Sequence, residues 1–113
     1  AFHLYMPDSD TLSLPGGPRS AGAYHSGDLA FVFGSMDKVG TDWNDADREL
    51  SRTMVGYWAN FARTGSPNGE GLPDWQAFDR LNHATQVLGT QSVKSTPGVR
   101  REKLDLMAKT YPF

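Results

Sequence analysis

Gly22-Ala23-Tyr24-His25-Ser26-Gly27-Asp28-Leu29-Ala30-Phe31-Val32-Phe33-Gly34 sets a histidine among small residues, directly ahead of an apolar run. Small neighbours leave room for a substrate to approach the imidazole, and the apolar run reads as the start of a packed element that anchors it. Imidazole is the side chain whose unperturbed pKa lets it take and return a proton near neutral pH. His25 is therefore a candidate general base, against the plain alternative of an ordinary loop histidine; as a base it would be one third of a nucleophile–base–acid triad. Asp28 lies three residues along the same loop, which is a poor geometry for the acid that orients the ring. His25 and Asp28 together supply two potential ligands, and two do not make a metal site. Residues 29–33 are apolar but few, so their period leaves helix and strand both open.

Outward from this stretch, residues 2–6 mix aromatic and aliphatic side chains and stop at Pro7-Asp8, which predicts a short strand ended by a turn. Residues 7–24 carry Pro7, Pro15, Gly16, Gly17, Pro18 and Gly22 and read as a long irregular loop. The clearest helix falls over residues 44–63. Leu50, Met54, Tyr57, Trp58 and Phe61 recur at steps of 4, 3, 1 and 3, one stripe of a 3.6-residue period. Asn44 is its expected N-cap, Asp45, Asp47 and Glu49 favour the positive end of the dipole, and Gly65 then Pro67 stop it. Gly56 in mid-helix costs about 1 kcal/mol relative to Ala and marks a candidate close contact. Residues 66–73 form a turn-rich connector, residues 74–78 a short extended piece with two aromatic anchors, residues 85–89 a last edge strand, and residues 99–109 a C-terminal helix.

Composition narrows the classes of function. A formal net charge of -2 with no basic run argues against a nucleic-acid partner. The chain has no cysteine, which excludes disulfides, thiol catalysis and Cys-ligated zinc. No apolar run approaches the roughly 20 residues that cross a bilayer as a helix. At 113 residues with 38% hydrophobic side chains, twelve Gly and seven Pro, the chain reads as one partial domain, residues 1–113, whose core is shared with polypeptide outside it. No Ser has Gly at both -2 and +2, and no His-Glu-x-x-His is present. The glycines between 65 and 71 lack the flanking strand and helix of a phosphate cradle. His3, in a strand, and His83, in a polar loop, read as structural or surface residues, and the Tyr57, Trp58, Phe61 stripe reads as core.

Three blocks in order now identify a resemblance. Residues 22–34, with His25 followed by a carboxylate at Asp28 and then Phe31-Val32-Phe33-Gly34, resemble the catalytic-histidine motif of the type B carboxylesterase and cholinesterase family. Trp58-Ala59-Asn60-Phe61-Ala62-Arg63-Thr64-Gly65-Ser66-Pro67-Asn68 is similar to that family's Trp-x-Asn-Phe-Ala-x-Thr-Gly-x-Pro-Asn segment, and Leu72-Pro73-Asp74-Trp75-Gln76-Ala77-Phe78 to the stretch that follows it. Ser26 departs from the Gly common beside the histidine, and the missing cysteines depart from the disulfide-bearing animal members. The resemblance implies an α/β class, the C-terminal portion of an α/β-hydrolase fold, in which the triad runs Ser, then Asp or Glu, then His. It implies that His25 is the triad base of a serine esterase acting on a carboxylic ester, with nucleophile, acid and oxyanion loop upstream in the missing N-terminal part. No cofactor or metal is expected, and the isolated chain is expected to be inactive. The alternative is a non-catalytic binding or adhesion module on the same fold.

Overall fold

Asn44 organises the longest element. The computed structural model describes residues 4–5, 26–39 and 42–111, and within it helix α2 runs over Asp45–Thr64. Asn44 keeps an extended backbone while its Oδ1 accepts from the Asp47 N–H at 3.0 Å, and Asp47 Oδ2 accepts from the Asn44 N–H at 3.0 Å. This reciprocal box satisfies two of the N–H groups that a helix start leaves without partners. At the other end Gly65 takes φ 78° and its N–H returns to the Phe61 carbonyl, the left-handed cap that glycine adopts without steric cost.

The predicted stripe is buried at Leu50, Met54 and Tyr57 and half-buried at Trp58. It stops there: Phe61 lies beyond the core cluster and is 52% exposed. Gly56 does mark a close approach, because a Cβ at this position would stand 3.1 Å from both Leu72 methyl carbons. The core gathers Phe31, Val32, Met36, Leu50, Met54, Tyr57, Trp75 and Leu88. Its rings meet edge to face, Phe31 with Trp43 at 5.3 Å and Tyr57 with Trp75 at 5.0 Å between centroids, the arrangement that aromatic quadrupoles favour.

The ambiguous apolar run is helical: α1 spans Leu29–Val32, followed by a 3-10 turn at Met36–Lys38. Strand β1 covers Leu4–Tyr5, within the strand expected at 2–6, and the loop expected over 7–24 lies outside the described residues. Strand β2, Ala84–Leu88, is central rather than an edge. It pairs in parallel with β1 (Leu4↔Gln86, Tyr5↔Val87) and antiparallel with β3, Val93–Pro97 (from Ala84↔Pro97 to Leu88↔Val93). Pro97 ends β3 on the outer side of the described sheet, where a missing N–H is tolerated. Residues 74–78 join no ladder; Trp75 is buried, and Phe78 packs edge to face against the half-buried His83 at 5.5 Å between rings. Helix α3 spans Arg101–Thr110, close to the predicted 99–109, and none of its residues is buried.

Candidate active site

His25 lies outside the described residues, as do His3 and residues 22–24. The anchor that follows His25 is described in full. Ser26, next in the chain, has φ 68°, a left-handed backbone that glycine adopts more readily than residues with a Cβ. The Gly common beside the histidine in the resembled motif therefore has a backbone reason, and Ser26 fills that conformation with a small side chain. A tight turn follows, closed by the Leu29 N–H donating to the Ser26 carbonyl at 3.2 Å. Asp28 is the N-cap residue of α1: its carbonyl accepts from the Phe31 and Val32 N–H groups, while its carboxylate does not cap the helix. Its observed role is in the backbone of the turn.

A one-turn helix is marginal by itself, and α1 is held from outside. Phe31 is 1% exposed and sits in the core beside Trp43, whose indole N–H donates to the Met36 carbonyl at 2.9 Å. Ser51, buried in the middle of α2, donates its hydroxyl to the Phe31 carbonyl at 2.9 Å. A helical serine commonly bonds back within its own helix; this one ties α2 to α1 instead. Sequence reasoning passed over Ser51 because a serine in an amphipathic helix reads as part of the polar face.

The second motif block proves to be a scaffold. Asn60 donates to the Pro67 carbonyl at 3.3 Å and accepts from Arg63 at 2.6 Å. Thr64 Oγ1 donates to the Asn60 carbonyl and accepts from the Ser66 N–H, fastening the helix end. Asn68 grips the backbone of Trp75 on both sides: its Oδ1 accepts from the Trp75 N–H at 2.7 Å and its Nδ2 donates to the Trp75 carbonyl at 3.0 Å.

A buried relay joins α2 to the sheet. Tyr57 donates to the Pro73 carbonyl at 2.7 Å and accepts from Gln86 Nε2 at 3.2 Å, while Gln86 Oε1 accepts from the Ser95 hydroxyl at 2.6 Å. Burial raises the Tyr57 phenol pKa above its ordinary value; the Gln86 N–H opposes this and the Asp74 charge adds to it. Asp79 closes the turn before β2, and the backbone N–H groups of Asn82 and then Leu81 hold its carboxyl below the usual range. An open cavity of about 320 Å³ lies between the 3-10 turn and α2, lined by Asp37, Arg48 and Arg52 among others. Its arginines are engaged in ion pairs, Arg48 with Asp37 and Arg52 with Glu49. No group of three or more metal-ligating side chains occurs among the described residues, and no described helix is long and apolar enough to cross a membrane.

The pyrethroid hydrolase Ces2a of Mus musculus is 40% identical over 96 residues, covering 84% of this chain and 17% of that protein. Cocaine esterase of Homo sapiens is 47% identical over 73 residues, covering 62% of this chain and 13% of its own. A solved PNB esterase superimposes with a TM-score of 0.75 at 26% identity, over 99% of this chain and 22% of that one. A thermophilic PNB esterase does so with a TM-score of 0.69 at 28% identity, over 80% and 19%. The fold is thus part of an α/β-hydrolase, and the chain spans only 17% of the first curated relative's length. Residues 1–107 match the carboxylesterase family, and the chain belongs to it.

Proposed function

We propose that this chain is the histidine-bearing part of a serine carboxylesterase, with His25 as the general base. The carrying observation is the turn at Ser26–Asp28, anchored through α1 to α2, placed directly after His25. In the proposed reaction, a serine hydroxyl supplied by the upstream polypeptide attacks the ester carbonyl while the His25 imidazole takes its proton. The imidazolium then returns that proton to the departing alkoxide, leaving an acyl-serine. Water, deprotonated by the same imidazole, attacks the acyl carbonyl and releases the acid. A carboxylate from the upstream polypeptide holds the ring in the tautomer that this requires. The named relatives are hydrolases and esterases, which favours this reading over an adhesion module.

The test is His25→Ala in the intact protein, assayed on a p-nitrophenyl ester. We expect kcat to fall by about three orders of magnitude or more, as loss of a triad member does. A fall of less than tenfold removes His25 from the role.

A further inference from the structure

The Asn68-Gly69 dipeptide is imposed by two separate packing demands. Asn68 is needed because its amide supplies both an acceptor and a donor to the Trp75 backbone, which a carboxylate cannot do. Gly69 is needed because a Cβ there would collide with the Asn60 side-chain amide. That amide is not free to swing away, since it is held by the Pro67 carbonyl and by Arg63. Together these demands place an asparagine directly before the one residue that leaves its backbone nitrogen unshielded.

We propose that Asn68 is a site of spontaneous deamidation, held closed in the native protein by its clamp on Trp75. The Gly69 backbone nitrogen, its proton lost to hydroxide, attacks Asn68 Cγ and forms a C–N bond. The Cγ–Nδ2 bond breaks and the amide nitrogen leaves as ammonia, giving a five-membered succinimide. Water opens that ring at either carbonyl, to aspartate or to isoaspartate. One water is consumed, one ammonia is released, and no oxidant or cofactor takes part. Attack requires the amide to rotate away from Trp75, so the native reaction runs only through a local opening that breaks both hydrogen bonds. The reaction is then self-locking. Aspartate at position 68 sets an oxygen against the Trp75 carbonyl where an N–H donated, and isoaspartate adds a main-chain carbon between Pro67 and Gly69. Either product prevents the clamp from closing again, and with it the seating of the buried Trp75 ring against Tyr57.

The intact protein is incubated in mildly alkaline buffer, native and in guanidinium chloride, and its peptides are followed by mass spectrometry. In the denatured protein Asn68 should deamidate fastest of the four asparagines, since Asn44, Asn60 and Asn82 precede Asp, Phe and His. In the native protein Asn68 should react at least about tenfold more slowly. The Asn68→Asp variant should melt about 2 °C or more below the wild type. Equal native and denatured rates overturn the proposal, as does a denatured Asn68 no faster than the other three. An unchanged melting temperature for Asn68→Asp overturns the self-locking step.

Discussion

Tyr57 shows how one buried polar side chain links three parts of the chain. Its hydroxyl donates to Pro73 and accepts from Gln86, and Gln86 in turn accepts from Ser95 on β3. Tyr57→Phe leaves the Gln86 Nε2 donor and the Pro73 carbonyl without this partner, a loss of about 1–3 kcal/mol. The phenol also carries a pH signature. Its folded pKa is raised, chiefly by burial, so its stabilising contribution is complete below the unfolded value near 10. That contribution is lost as pH rises through the folded value, because the unfolded chain releases the proton first. Urea midpoints of the intact protein measured between neutral pH and strong alkali should fall more steeply for wild type than for Tyr57→Phe. Parallel curves would deny Tyr57 this role. The burial of Tyr57 was legible in its helical stripe, but its partners were not: Gln86 and Ser95 are polar residues that local pattern assigns to the surface, and only tertiary pairing buries Gln86 completely.

At the scale of elements, legibility follows how much of the stabilisation is local. Helix α2 was readable because its cap, its stripe and its stop signals all lie within its own residues. Strand β3 was missed because Val93-Lys94-Ser95-Thr96-Pro97 holds a single aliphatic residue, and its order comes from the ladder to β2. The same lesson covers the candidate site, where His25 stood out by its small neighbours while Ser51 gave no signal. The Gly56 contact with Leu72 gives the element-scale prediction. Ala there would gain helix propensity but crowd the leucine methyl carbons, whereas Val adds bulk and a β-branch to the same 3.1 Å gap. Gly56→Val should lower stability by about 1–3 kcal/mol. The check is a fall in denaturant midpoint with an unchanged slope; an unaltered midpoint would show that α2 and Leu72 separate without cost.

Taken as a whole, the described chain leaves apolar surface uncovered. Leu104, Met107 and Tyr111 recur along one face of α3 and its end, and each is more than half exposed, as is Leu106; Phe33 after α1 is 74% exposed. Scattered apolar residues are ordinary, but a whole face with none of its helix buried is the mark of a surface that expects a neighbour. The chain matches only 17% of the first curated relative's length, and on the proposed reading the upstream polypeptide is that neighbour. The isolated chain should therefore bind a hydrophobic dye, self-associate on a sizing column, and show no ester turnover above a His25→Ala control. A dye-silent monomer with cooperative unfolding, or measurable turnover, would contradict this.

The pairing of β1 with β2 has a consequence in time. Leu4 meets Gln86 and Tyr5 meets Val87, so this parallel ladder closes a loop of about eighty residues, a slow and entropically costly event. During synthesis α2 is translated in full before β2, the partner of β1, and it leaves the ribosome first. Strand β1 must therefore wait with the edge that faces β2 unpaired until β2 arrives, and among the described elements α2 precedes the β1–β2 pairing. Slowing translation between residues 65 and 84 would lengthen that wait, making the yield of folded protein sensitive to codon choice in a stretch that carries none of the proposed ester chemistry.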